Sequence, residues 1–374
     1  MSTPSQAGWI PTPDVLASQW LSMVGKAMAL PRVVQAIERV RVGCTPTRPV
    51  YREGALRLLR YEAEAAPRYQ PPLLFVFALV NRPYILDLRP GKSVVSHFVE
   101  RGFETYNIDW GKPADGDRHL SLEDYVLRYM DHCVDQVRRR CRCEKVSVLG
   151  YCMGGSMSAM YAALRPEKVA NLILLAAPVD WSGRDSLLSV WTDEKYFDVD
   201  RLIEVYGNVP PQYLQTSFLM LKPVQNFIEK WYGFWQNMED EKFLEDFFAM
   251  ETWLNDNIPV AGETFRQFVK YCFQQNRLIQ GRLELGDERV DLKRITCPVL
   301  NLIAQHDHLV HPNQSLPFND AVGSRDRTAI NFPAGHIGLA VSSRAHRELW
   351  PQVAEWLGER SETRRHAAPS GPRP

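Results

Sequence analysis

The sequence predicts an α/β fold: a mostly parallel, doubly wound sheet with a largely helical cap inserted into it. Three observations lead there. Short apolar runs alternate with helix-period segments over residues 72–180, the pattern of strands joined by crossover helices. The alternation stops between Trp181 and Asp287 and resumes at Val299. Ahead of that break, Gly150-Tyr151-Cys152-Met153-Gly154-Gly155 separates a β-branched run from a helical segment, which is the strand–turn–helix context of a nucleophile elbow.

The elements follow in order. Residues 14–65 mix Ala, Leu, Met and Arg and read as helices flanking a core. Leu73 to Val80 is continuously apolar, as a strand buried on both faces should be. Val94 to Arg101 suits a helix, Thr105 to Asp109 a strand, Leu122 to Arg139 a helix and Val146 to Leu149 a strand. After the elbow, Ser156 to Arg165 has helical spacing, and Asn171 to Ala176 is a strand stopped by Pro178. The segment 181–287 is rich in Trp, Phe, Tyr and Met, without clear strands, and reads as an aromatic helical cap placed after the strand that follows the elbow helix. Val299 to Ala304 is a strand, Pro312 to Val322 a helix, Thr328 to Phe332 a short strand and Arg344 to Leu357 a closing helix. This divides the chain into a helical segment 1–65, a core of 66–180 plus 288–360, a cap 181–287, and a Pro-, Ser- and Arg-rich tail 361–374 expected to be disordered.

Composition narrows the function. With 374 residues, 45% of them hydrophobic, the chain can bury a large core. Its net charge is zero, so no global field attracts nucleic acid. Seven unevenly spaced cysteines give no disulfide framework, and Cys141-x-Cys143 lacks the second pair a zinc site needs. A reducing compartment, the cytoplasm, fits best. Met1 to Pro13 has neither a basic region nor an apolar core typical of a signal peptide, and no apolar run is long enough to span a membrane.

The chemistry converges on the elbow. Its tip is a thiol where most enzymes of this architecture carry a hydroxyl, which points to acyl transfer through a thioester. A thiol nucleophile needs a base, and the base needs an orienting carboxylate. In the α/β-hydrolase fold these follow in the order nucleophile, acid, histidine, in loops at strand ends. Cys152, Asp307 and His336 occur in that order and in those contexts. The backbone N–H of Met153 is the expected first oxyanion donor. The second is expected from the loop after Leu73–Val80: Val80, Asn81 or Arg82. His306, His308 and His311 crowd around Asp307. No fourth ligand is evident, so no metal is expected, and His308 is a candidate auxiliary group.

With these residues on the page, the chain resembles the catalytic subunit of short, two-component polyhydroxyalkanoate synthases, from about Pro72 to Glu359. The resemblance rests on Ala78 to Leu88 (ALVNRPYILDL), Ile108 to Gly111 (IDWG), Gly150 to Gly155 (GYCMGG), Ala261 to Gln267 (AGETFRQ), Val290 to Lys293 (VDLK), Asp307-His308 and Gly335 to Gly338 (GHIG). The last looks more like class III. Gly150 to Met153 and Asp193 to Phe197 also look like class IV. The resemblance implies a lipase-like box with Cys in place of Ser at Cys152, with Asp307 and His336 completing the triad. It implies that a 3-hydroxyacyl-CoA is the substrate, that CoA and a polyester are the products, and that no cofactor is required. It also implies an accessory synthase subunit, assembly as a homodimer or hetero-oligomer, and a place at the surface of polyester granules. The competing reading is a Cys–His–Asp hydrolase, either a thioesterase or a dienelactone-hydrolase-like enzyme, with the same fold and triad.

Overall fold

A nine-stranded sheet runs through the part of the chain formed by residues 42–221 and 253–363. The computed structural model describes residues 13–363. Its strands are β1 (Thr47–Glu53), β2 (Leu56–Tyr61), β3 (Tyr69–Val76), β4 (Phe103–Asp109), β5 (Val146–Tyr151), β6 (Val169–Leu175), β7 (Val299–Ala304), β8 (Arg327–Phe332) and β9 (Glu362–Thr363). The order is β1-β2-β4-β3-β5-β6-β7-β8, with β9 paired to the start of β3. From β4 to β8 every pairing is parallel. Antiparallel pairs occur at β1–β2, β2–β4 and β9–β3. Every residue of β4, β5 and β7 is buried, as in strands covered on both faces, and the polar residues among them, such as Asn107 and Asn301, are hydrogen-bonded inside. Edge strand β8 alternates in exposure instead.

Two departures concern the ends of the chain. The sequence reading places helices over 1–65. Among the described residues of that segment the one helix is Pro13–Arg39, and residues 47–61 form the β1–β2 hairpin, which turns at Gly54 with φ 55°. Leu56, Leu58 and Tyr61 are buried while Arg57 and Arg60 are not, so a period near two was present in the sequence and overrides the Leu- and Arg-rich helix propensity. In the expected tail, Ser361–Thr363 are ordered, with Glu362 and Thr363 paired to Gln70 and Tyr69. The rest of the tail, residues 364–374, lies outside the described residues, as do residues 1–12.

The aromatic segment 181–287 is largely helical, as read, with a two-residue hairpin at Glu284–Leu285 and Glu288–Arg289 near its end. It does not form one body. Residues 222–252 group with residues 13–41 as a compact unit, and the other described residues form a second one. In the smaller unit, Ala29 and Ala36 are buried with Met238 and Leu244, and Val33, Phe234, Phe243 and Phe248 pack against them. The small alanines let the helices approach closely, and the Lys26 ammonium donates to the Trp235 carbonyl at 2.5 Å.

In the larger unit, the helix expected over 312–322 is two short turns, Pro312–Ser315 and Phe318–Ala321. Pro317 separates them because it has no N–H to continue the ladder. Strand β3 starts earlier than the apolar run and ends at Val76. That releases residues 77–82 as a loop at the C-terminal end of the sheet.

That loop presses on the elbow. A Cβ on Gly154 would collide with the Val76 carbonyl oxygen and stand 2.5 Å from that of Phe77. Gly154→Ala is therefore expected to cost about 1–3 kcal/mol through backbone displacement. A urea midpoint equal to that of the parent would refute the contact.

Candidate active site

Four strand ends supply the site: the loops after β3, β5, β7 and β8. Cys152 follows β5 with φ 55° and ψ −127°, a conformation L-residues adopt only when the surroundings impose it. Here the surroundings are close-packed backbone. Gly150 would meet the Ser158 hydroxyl at 2.5 Å and Gly155 Cα at 2.6 Å if it carried a Cβ. The Cys152 amide donates to the Leu175 carbonyl at 2.9 Å. Cys152 is half-buried and caps the helix Met153–Leu164, whose residues are all buried.

His336 and Asp307 meet beside it. The imidazole Nδ1 donates to Asp307 Oδ2 at 2.6 Å. Asp307 Oδ1 accepts the amides of Leu309 at 2.8 Å and Val310 at 2.9 Å. Both carboxylate oxygens are thus engaged, and the group cannot rotate away from the ring. The Cys152 sulfur lies near enough to the imidazole to interact with its charge. The structure thereby brings together the three residues the sequence singled out, on loops separated by 155 (Cys152 to Asp307) and 29 (Asp307 to His336) positions.

The electrostatics favour an imidazolium. Burial is the largest influence on His336 and would lower its pKa, but the Asp307 carboxylate and the Cys152 sulfur outweigh it and raise the pKa to about 10. A group raised above its ordinary value of 6.5 contributes stability that is complete below that pH and lost as the pH climbs through 10. The stability gap between the parent and His336→Gln is therefore expected to shrink from pH 6.5 to 10, by no more than about 1.4 kcal/mol per pH unit. Denaturant titrations at several pH values measure it. A gap that widens on going to alkaline pH would reverse the assignment.

Tyr151 is a site residue that the sequence reading missed. It is fully buried, donates its hydroxyl to the His336 carbonyl at 3.0 Å, and stacks on the imidazole with centroids 5.2 Å apart. Phe77 from the β3 loop meets the same tyrosine edge-on at 5.4 Å. Tyr151 therefore ties the nucleophile strand to the histidine loop. Its place next to Cys152 was the only signal in the sequence.

The groups expected as oxyanion donors lie as follows. Met153 is the first residue of the elbow helix, so its amide has no intrahelical acceptor. In the facing loop, the Arg82 amide is bound by the Asn81 side chain at 2.6 Å, which leaves Val80 and Asn81 as the candidates there. Asn81 is buried. His308 is exposed beside Asp307. His311 caps the turn Pro312–Ser315 through Nδ1, which accepts the Asn313 amide. Among the described residues, no group of three or more His, Cys, Asp or Glu is arranged to hold a metal ion.

Two family models match. One, described as the alpha/beta hydrolase fold, covers residues 71–342. The other, described as the poly-beta-hydroxybutyrate polymerase N-terminus, covers residues 37–98, which extends the resemblance well before Pro72. The poly(3-hydroxyalkanoate) polymerase subunit PhaC of Haloferax mediterranei is 47% identical over 94% of this chain and 72% of its own. That of Allochromatium vinosum is 42% identical over 93% of this chain and 98% of its own. Among solved structures, a carboxylesterase of the ammonia-oxidizing thaumarchaeon Nitrososphaera gargenis aligns over 84% of this chain and 98% of its own, with a TM-score of 0.51 and 14% identity. That last likeness concerns the fold alone.

Proposed function

The chain belongs to the poly(3-hydroxyalkanoate) polymerase PhaC family, and from that membership we propose how its site polymerises hydroxyalkanoate units. The enzyme is an acyltransferase on an α/β-hydrolase fold. The donor is an (R)-3-hydroxyacyl-CoA. The Cys152 thiolate attacks the thioester carbonyl, the C–S bond to CoA breaks, and CoA leaves as a thiol with the proton held on His336. The 3-hydroxyl of another acyl unit then attacks the Cys152 thioester. His336 takes the hydroxyl proton, an oxoester forms, and the sulfur is released. Exchange between thioesters costs little, and formation of the oxoester drives elongation. The thioester itself carries the activation, so the reaction calls for no cofactor.

One observation carries this reading. A cysteine is held at positive φ at the end of a buried strand, beside a histidine whose Nδ1 is anchored on a fixed carboxylate. A Cys–His–Asp hydrolase would use the same groups with water as the acceptor. Family membership favours a hydroxyl acceptor instead. Relatives bear the name of a subunit, which supports a multi-subunit synthase, and we assign this chain the catalytic role beside an accessory subunit at the polyester surface. Among the described residues no helix is long and apolar enough to cross a membrane.

Incubation with 3-hydroxybutyryl-CoA, following thiol release and turbidity, tests the reading. Stoichiometric CoA release with polymer, accelerated at least about tenfold by the accessory subunit, is expected. A tenfold gain needs about 1.4 kcal/mol of differential binding, which a modest interface supplies. Free 3-hydroxyacid in place of polymer would favour the hydrolase. Equal rates with and without the partner would remove the accessory subunit from the mechanism.

A further inference from the structure

The loop after β3 is gripped at its far end by residues of the cap segment. The Trp253 indole N–H donates to the Arg82 carbonyl at 2.8 Å. The Tyr84 hydroxyl donates to Asp256 Oδ2 at 3.2 Å, and Arg82 Nε lies 3.5 Å from Asp256 Oδ1. Trp253 is 6% exposed, so its N–H has no solvent to bond with if this contact is lost.

The sheet holds the same residue from another direction. An Arg82 terminal nitrogen is 3.5 Å from Asp109 Oδ1, at the end of β4. Asp109 is itself fixed by Arg57 and by the Gly111 amide at 3.0 Å. With the Asn81 side chain on its amide, Arg82 is restrained at its N–H, its carbonyl and its guanidinium. Pro83 stiffens the next position.

The near end of this loop is already fixed, because the Val76 and Phe77 carbonyls abut Gly154. Residues 78–81 are strung between two anchors. A backbone amide stabilises an oxyanion only when held within about 0.5 Å of its working position.

We propose that Trp253 and Asp256, acting through Arg82 and Tyr84, are positioning residues that aim the Val80 and Asn81 amides at the tetrahedral oxyanion. This rests on the reading that the β3 loop supplies the second donor. The end of the helix Glu241–Asn255 then sets transition-state stabilisation without touching the thiolate.

Two reactions of the same sulfur separate the possibilities. Acylation by 3-hydroxybutyryl-CoA passes through an oxyanion. Alkylation by iodoacetamide, in which sulfur displaces iodide, does not. In the full chain, Trp253→Phe, Tyr84→Phe and Asp256→Asn are expected to slow acylation by about 10- to 100-fold, lowering kcat with KM nearly unchanged. Alkylation is expected to stay within about twofold of the parent, the ordinary scatter for a site whose thiolate is untouched. If both reactions slow together, the effect lies on the thiolate or the fold and the proposal fails. It fails equally if neither slows. Amide-to-ester replacement at Val80 and at Asn81 tests the underlying reading separately. If neither replacement slows acylation, the loop is not the donor. If they slow it while the three side-chain variants do not, the donor stands and the clamp alone is wrong.

Discussion

Cys152→Ala is expected to fold and to lose polymerisation altogether. The alanine keeps a Cβ at the strained position, so the elbow backbone and the helix Met153–Leu164 are retained, while the sulfur proposed to become acylated is gone. Loss of a nucleophile in a comparable triad lowers turnover by about 10⁶-fold, which takes this enzyme below detection. The direct check is to quench the parent with labelled acyl-CoA and map the labelled peptide. Label on Cys152 is expected. The other cysteines with shifted thiols are poor rivals. Burial pushes Cys133 and Cys272 well above the ordinary thiol range, Cys141 to about 12, and Cys44 and Cys297 to about 11. Thiolate is therefore scarce at each of them at neutral pH. A label found on any of these would displace Cys152 from the mechanism.

The second large effect separates His336 from Asp307. His336→Ala removes the group placed to hold the proton in both half-reactions, and both acylation and elongation are expected to fall by at least about 10⁴-fold. Asp307→Asn should be asymmetric. The amide oxygen can still accept the Leu309 and Val310 N–H groups, but the neutral side chain no longer favours an imidazolium, which is the form Asp307 helps to stabilise. A thiol gives up its proton more readily than a hydroxyl, so acylation should survive better than elongation. Single-turnover CoA release, compared with chain growth on pre-acylated enzyme, reads the two steps apart. An Asp307→Asn enzyme that elongates normally but fails to acylate would reverse the assignment.

Much of this was legible in the sequence because it is local. Buried strands such as Val299–Ala304 announce themselves by densely apolar, β-branched residues, and the elbow by glycines that must admit a neighbouring backbone. Loop positions of Asp307 and His336 followed from strand ends. What the sequence concealed depends on long-range contact. Residues 56–61 carry enough Leu and Arg to pass for helix until Arg57 and Arg60 are seen reaching Asp109 and Glu104 across the sheet. The pairing of Pro13–Arg39 with residues 222–252 joins segments far apart in the chain, with no shared motif. Tyr151 and Trp253 read as ordinary core aromatics, because a hydrogen bond to a distant carbonyl leaves no trace in local composition.

The backbone at Cys152 has an evolutionary corollary. At φ 55° and ψ −127°, any side chain adds strain of about 1–3 kcal/mol that glycine would not. The proposed nucleophile therefore occupies the position where the fold would be better served by having no side chain at all. Selection for heat resistance alone, blind to turnover, would drift toward Cys152→Gly and a durable but inert protein. Libraries built for thermostability should hold this codon constant and gather their gains elsewhere.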